Sequence, residues 1–445
     1  MLFKRKIYKE LENWKKSQQI KRKALVIKGL RQVGKTTIVK EFCEDNYESV
    51  VYINFMDNRS IRNAFKGDYI VDDMIRDISA SIGSTKFIPH KTVIIFDELQ
   101  ECAEARYAIK PFMIDGRFDI IATGSLLGLR GYNSGLSANI PTGFEKIITM
   151  YPMDFEEFLW AKGVDIELIE YLRNCFLDLK EVSESVNEAM HKSFKDYLCV
   201  GGMPDAVKTF LLTHDMNQVR ETQVDILEEY KDDFGKHLDK NENEVINKTS
   251  LIKIMQVYDS IPSQLAKENK KFQYSMIKKN ASAREYSKAI TWLKEFGLCT
   301  MCNNLNIIDA PLSGNKIEDQ FKLYVIDTGL FVAMLDREVV SEILFGTLKQ
   351  YKGAIYENII ADALSKKDKD LYYYSNGIEL DFITMHDSRV TAIEVKATNG
   401  NAKALKTAIR NKDKYNIQNN YKLTSGNIGI SNGITTIPHY MSMFL

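Results

Sequence analysis

Residues 29–36 read Gly-Leu-Arg-Gln-Val-Gly-Lys-Thr, a full match to the pattern G-x-x-x-x-G-K-[ST]. The chemistry of that pattern is anion capture. Gly29 and Gly34 let the backbone curl so that its N–H groups face phosphates. Lys35 has the reach for the β- and γ-phosphates of a nucleotide, and the Thr36 hydroxyl suits Mg²⁺. Arg31, Gln32, Val33 and Thr37 complete the segment expected to line the nucleotide, with Arg31 acting within its own chain. A second set, Val93-Ile94-Ile95-Phe96-Asp97-Glu98, is an apolar run that ends in two acids. Asp97 would hold Mg²⁺ through water, and Glu98 would polarise the attacking water. A third run, Phe118 to Thr123, ends at Gly124-Ser125, where Thr123 or Ser125 would contact the γ-phosphate or that water. The expected catalytic set is Lys35, Asp97 and Glu98, with ATP and Mg²⁺ as cofactors.

A second constellation lies far down the chain. Asp381 closes one candidate strand, and Glu394-x-Lys396 closes the next, a D-x₁₂-E-x-K spacing. Two carboxylates on neighbouring strands can hold Mg²⁺, which polarises a phosphodiester. Lys396 would orient or deprotonate the attacking water and offset charge in the transition state. Glu357, on the preceding candidate helix, is the expected third acidic ligand or water positioner. The pattern matches restriction-endonuclease-like folds, some of which cleave and some of which only bind. Asp381, Glu394 and Lys396 are the expected catalytic residues here; Asp381, Glu394 and Glu357 are the expected metal ligands.

These groups need elements to position them. Apolar Ala24–Ile27 precedes the first glycine, and Thr36 to Cys43 is helix-compatible. Strand, glycine loop and helix N-terminus make an anion site, and open parallel sheets place ligands at the carboxyl ends of their strands. Residues 5–20 predict a basic amphipathic helix, with Ile7, Tyr8, Leu11 and Trp14 on one face, packed on that sheet. Asp154 predicts a helix N-cap with Glu157 in the capping-box position. Gly201-Gly202-Met203-Pro204 marks a turn within an otherwise helical stretch. From Thr249 the rhythm predicts a helix at Leu251–Tyr258, a short second one from Ser263, and a third from Arg284 to Phe296. A strand pair then follows at Leu298–Asn303 and Phe321–Ile326. That order predicts a winged helix-turn-helix, with Lys267, Lys270, Lys271, Lys278, Lys279, Arg284 and Lys288 available to phosphates. The expected organisation is 1–150 for the ATPase domain and 151–245 for a helical lid. The winged helix takes 246–336, and the nuclease-like α/β domain takes 337–445.

Composition narrows the classes. The chain has 445 residues, enough for several domains. Lys+Arg and Asp+Glu each number 60, so any claim for nucleic acid rests on local patches. No run approaches the roughly 18 apolar residues that span a bilayer. The first residues lack the apolar stretch of a signal peptide. Six scattered cysteines suit a reduced, cytoplasmic setting, and Cys299-x-x-Cys302 predicts a buried strand rather than a zinc site.

Together these marks resemble one group: prokaryotic AAA-type ATPases, close to the archaeal ATPases, that carry a C-terminal domain of unknown function. The residues that carry the resemblance are Gly29–Thr37, Phe96–Gln100, Thr123–Leu127, Tyr151–Trp160, Tyr197 with Gly201–Pro204, and Glu379-x-Asp381 with Glu394-x-Lys396. The resemblance implies ATP and Mg²⁺ at Lys35, Thr36, Asp97 and Glu98. It also implies a winged-helix segment followed by the nuclease-like fold. Ring-forming relatives reach a neighbour's γ-phosphate with an arginine. Arg130 is the foremost candidate here, with Arg106 and Arg117 behind it. Two functions follow as expectations. One is a nucleic-acid-directed ATPase with a nuclease-like tail. The other is an ATP-dependent switch acting on a protein partner, in which the C-terminal domain only binds. A metabolic kinase is disfavoured, because it leaves the modular tail unexplained.

Overall fold

The computed structural model describes residues 2–83, 85–125, 143–235, 244–349 and 351–445. Two compact units result. The first comprises Met1–Tyr151 and Asp233–Lys248, and the second comprises Pro152–Asp232 and Thr249–Leu445.

The first unit is built on five parallel strands: β1 (Ala24–Lys28), β2 (Ser49–Asn54), β3 (Thr92–Asp97), β4 (Asp119–Gly124) and β5 (Glu145–Thr149). Their order is β2-β3-β4-β1-β5, and every neighbouring pair is parallel. The central strands are continuous apolar runs because both faces are covered. All six residues of β3 are buried. One face holds a core of Val26, Ile53, Phe55, Phe65, Phe96 and Phe112 with their neighbours. The N-terminal helix, Ile7–Ser17, buries Leu11 and Trp14, and Tyr8 packs edge-on against Phe42. The helix Lys35–Asn46 follows β1 through the glycine loop, with Gly34 at φ 93°, a conformation open to glycine at little cost. The consequence of this order is that β1, β4, β3 and β2 present their carboxyl ends along one edge of the sheet.

The second unit is helical from Phe155–Ala161 to Pro204–Thr213 and then centres on a mixed sheet. Asp154 caps the first helix with both capping-box hydrogen bonds, as the spacing predicts. Gly202 is fixed by close approach: a Cβ there would lie 1.9 Å from the Met153 carbonyl oxygen. The sheet contains β6 (Cys299–Leu305), β7 (Lys316–Val325), β8 (Tyr372–Ser375), β9 (Glu379–His386), β10 (Arg389–Val395), β11 (Asn419–Thr424), β12 (Gly429–Ser431) and β13 (Ile434–Pro438). Their order is β12-β13-β11-β10-β9-β8-β6-β7.

Two expectations change here. The helix expected to start at Ser263 is the last turn of one long helix, Glu244–Leu265, which runs through Pro262. Val257, Tyr258, Ile261 and Leu265 are all buried on it, so packing outweighs the local break that proline favours. The β6–β7 ribbon, expected as the wing of a separate 246–336 domain, pairs through β6 with β8 and extends the C-terminal sheet. Cys299 and Cys302 lie buried on β6. No helix among the described residues is long and apolar enough to cross a membrane.

Candidate functional site

The nucleotide-site residues converge on Asp97. The Thr36 hydroxyl donates to both Asp97 carboxylate oxygens, at 3.0 and 3.1 Å. Tyr52, on β2, donates its phenol to Asp97 Oδ2 at 2.6 Å, and Thr123, on β4, donates to Oδ1. Sheet order explains the meeting. β4 lies between β1 and β3, and β2 lies on the other side of β3, so a side chain near the carboxyl end of each neighbour of β3 reaches the same carboxylate. Thr123 therefore faces Asp97, where the sequence placed it against phosphate or water.

Lys35 is almost fully buried. Its ammonium donates to the carbonyls of Gly29 (3.0 Å) and Leu30 (2.7 Å). Burial pushes its pKa down to about 8, against the opposing pull of the Glu98 and Asp97 carboxylates. Gly29 cannot carry a side chain, because a Cβ would sit 2.3 Å from the Met150 carbonyl oxygen. Arg5 braces the loop from outside: its guanidinium donates to Val33 O (2.9 Å) and to Tyr151 O (2.6 Å). Arg31 is turned to Asp233, 2.8 Å away. Glu98, the residue after β3, holds a left-handed backbone at φ 55°. Gln100 donates to Glu98 Oε2 and accepts from the Ser125 backbone N–H at 3.3 Å, so it links the ends of β3 and β4.

The sequence assigns no role to Tyr52 or Arg5, and marks Gln100 only as part of the resemblance. Tyr52 lies outside any glycine or acidic pattern, and only the β2–β3 register brings it to Asp97. Of the expected trans-acting arginines, Arg106 makes a two-pronged pair with Glu145, and Arg117 pairs with Asp115 and Asp72. Arg130 and the Leu126-Leu127 part of its segment lie outside the described residues. The donor chemistry fits a Mg²⁺-nucleotide: a buried ammonium and a hydroxyl at the start of one helix, beside the two carboxylates that end β3.

In the second unit, Asp381 (β9) and Glu394 (β10) are cross-strand neighbours beside the Phe382–Ile393 pair. Asp381 Oδ2 accepts from the Val395 N–H at 2.8 Å. Lys396 lies 2.6 Å from Glu394 Oε1, and Glu394 Oε2 is buried without a hydrogen-bond partner. Burial, with the Glu357 and Glu394 charges, pushes the Asp381 carboxyl up to about 8. Burial also raises Glu394. Burial depresses Lys396, but the Glu394 and Asp381 carboxylates outweigh it and raise the group.

The structure adds two lysines that the sequence pattern did not indicate. Lys270 pairs with Glu357, whose other oxygen accepts from the Tyr324 phenol at 3.1 Å. Lys322, 1% exposed at its side chain, lies 4.0 Å from Glu357 and 3.3 Å from Glu379. The Lys322 and Lys270 charges pull Glu357 down despite its burial. Glu357, expected as a metal ligand, is thus held by two ammonium groups and a phenol. Among the described residues, no group of three or more His, Cys, Asp or Glu side chains is arranged to hold a metal ion. As placed, the cluster is balanced by its own lysines.

Comparison with known proteins adds the following. Residues 21–159 match the family model described as AAA domain. Residues 191–340 and 352–440 match two models, each described as a domain of unknown function (DUF8612 and DUF4143). An uncharacterized protein of Haemophilus influenzae is 25% identical over 190 residues, 41% of this chain and 40% of that protein, so less than half of that relative's length is matched. Among solved structures, a Walker-type ATPase of Pyrococcus abyssi is similar at 13% identity and a TM-score of 0.42, over 75% of this chain and 96% of that one. The ORC2 protein of Aeropyrum pernix, in ADPNP–ADP complexes, is similar at 12% identity and a TM-score of 0.37, over 78% and 99%. AMPPCP-bound DnaA of Aquifex aeolicus is similar at 14% identity and a TM-score of 0.29, over 66% and 90%.

Proposed function

We propose that this protein, whose residues 21–159 match the family model described as AAA domain, binds ATP with Mg²⁺ and hydrolyses it, and that turnover is directed to nucleic acid engaged by the second unit. The observation that carries the reading is the convergence of Lys35, Thr36 and Glu98 around Asp97, whose carboxylate takes three hydroxyls. Lys35 supplies positive charge for the β- and γ-phosphates. Thr36 and Asp97 offer hard oxygens to Mg²⁺, which when bound neutralises charge that develops on the phosphoryl group. Glu98, held by Gln100, takes the proton of the attacking water. Lys35→Ala is expected to abolish hydrolysis and weaken ATP binding. Glu98→Gln is expected to trap bound ATP with little loss of affinity. Wild-type hydrolysis by Glu98→Gln would refute the assignment of the base.

The nuclease-like reading of residues 337–445 is supported by element order: the helix Lys352–Ser365, antiparallel β8-β9-β10, the helix Lys403–Arg410, then β11 parallel to β10. Cleavage by Asp381, Glu394 and Lys396 is tested with plasmid and single-stranded DNA in Mg²⁺ or Mn²⁺, with and without ATP. Cuts made by wild type and lost in Lys396→Ala would establish it.

A second reading has its own observation. Lys270, Lys322 and Lys396 already neutralise the carboxylates, which favours a C-terminal domain that binds without cutting. Arg106 and Arg117, both engaged in their own chain, favour a slow switch over a ring motor. In that reading ATP controls contact with a protein partner, and intact ATP hydrolysis with no cuts under any condition would support it. Six free, buried cysteines support a cytoplasmic setting for either reading.

A further inference from the structure

The segment that follows Lys396 carries a charge pattern that neither the nucleotide site nor the carboxylate cluster uses. Between residues 397 and 414 there are five basic side chains and one acid, Asp413, in a chain whose charges balance overall. Lys403, Lys406 and Arg410 lie on the helix Lys403–Arg410 at spacings of three and four, so they share one face. The opposite face is fixed in the core through Leu405 and Ala408, both fully buried. The turn that follows adds exposed Lys412 and Lys414, the latter resting near the Tyr415 ring. Lys403, Lys406, Arg410, Lys412 and Lys414 pair with no carboxylate among the described residues. This contrasts with Lys270, Lys322, Lys366 and Lys396 of the same unit, which do. An open groove of about 540 Å³ runs beside Arg410, Lys412 and Lys414 to Gly377 and Ile378. Gly400, next to this segment, packs on the Lys396 stem, with the nearest approach of a Cβ at 3.5 Å, so the surface continues from the carboxylate cluster.

We propose that the face formed by Lys403, Lys406, Arg410, Lys412 and Lys414 is a docking surface for the phosphodiester backbone of nucleic acid. The proposal rests on the nucleic-acid reading above and assigns it a place. A row of unpaired cations on a rigid helix suits a polyanion with regularly spaced charges, from which binding releases condensed counterions. A lipid surface is the poorer match, because the helix has spent its apolar residues on the core and has none to insert. Of the basic side chains between residues 267 and 288, Lys270 is consumed by Glu357 and Lys267 is bonded to Gln273, so that set is interrupted.

The experiment is a fluorescence-anisotropy titration of a labelled DNA duplex and its single strand with the full chain, from 50 to 200 mM salt. Wild type is compared with the triple variant K403A/K406A/R410A and with the control K278A/K279A/R284A. The triple variant is expected to flatten the dependence of log K on log salt by about 2 to 3, since each phosphate contact contributes about 0.9. It should also bind at least tenfold more weakly at 50 mM, with basal ATP hydrolysis unchanged. The control should bind as wild type. Wild-type binding that the triple variant retains, with the same slope, overturns the placement while leaving the nucleic-acid reading intact. Absence of DNA binding by a wild type that hydrolyses ATP overturns both, and binding of phosphatidylserine vesicles alone would transfer the face to membranes.

Discussion

Removing one hydroxyl from the carboxylate that organises the nucleotide site should slow hydrolysis without weakening ATP binding. Tyr52→Phe is the cleanest such change. It deletes the donor to Asp97 Oδ2 at 2.6 Å and keeps the ring, over which Lys40 sits at 3.6 Å from the centroid. Burial and the Asp97 bond hold the phenol protonated, so it donates throughout the working pH range. A hydrogen bond to a charged group is worth about 1.5–3 kcal/mol, and Tyr52 is only half-buried, so water recovers part of it. A loss near 1.5 kcal/mol is expected. If the aim of Asp97 matters only in the transition state, that corresponds to about tenfold in kcat. The Kd for ATP should stay within about twofold, because Lys35 and the loop are untouched. Steady-state ATPase rates, calorimetric Kd values and a thermal melt separate the terms. Thr123→Val should act in the same direction, and the double variant should lose less than the sum because both hydroxyls serve one carboxylate. A wild-type kcat in Tyr52→Phe would refute the reasoning. An unchanged kcat with tenfold weaker ATP would move Tyr52 from positioning to ground-state binding.

Other perturbations test other parts. Gly29→Ala must push the loop from the Met150 carbonyl, whose own N–H is tied to Lys28 O at 2.8 Å, so a cost of about 1–3 kcal/mol and at least tenfold weaker ATP binding should appear by calorimetry. Lys322→Met leaves Glu357 and Glu379 short of a buried cation and should destabilise by about 3–5 kcal/mol in a denaturant titration. Asp381 gives a pH signature. Its carboxyl is raised to about 8 when folded, so between about pH 4 and pH 8 the folded state holds a proton that the unfolded state has released. Stability from this group is present below that window and is lost as pH rises through it. Asp381→Asn, able to keep the Val395 N–H bond, should remove the fall, and urea midpoints at pH 5 and pH 8 that move apart equally in both proteins would contradict it.

Elements whose signal is local were legible in the amino-acid sequence. The glycine loop, the acid-tipped β3, the N-terminal helix through Leu11 and Trp14, and the Asp154 capping box all follow from residue type and short spacing, and they stand where they were expected. The strand with Asp381 and the strand with Glu394-x-Lys396 were legible for the same reason. Contacts that depend on register and burial emerge only in the folded chain. Tyr52 reaches Asp97 only because β2 pairs with β3, and Thr123 does so only because β4 lies between β1 and β3. Pro262 continues a helix because four buried neighbours outweigh its local preference. Lys270 and Lys322 enter the carboxylate cluster from segments about 87 and 35 residues before Glu357 along the chain, and no short pattern encodes a pairing of that separation. A local pattern fixes backbone conformation and one face of an element. Which charges meet across elements is settled only when the low-dielectric interior makes an unpaired one costly, and that happens on folding.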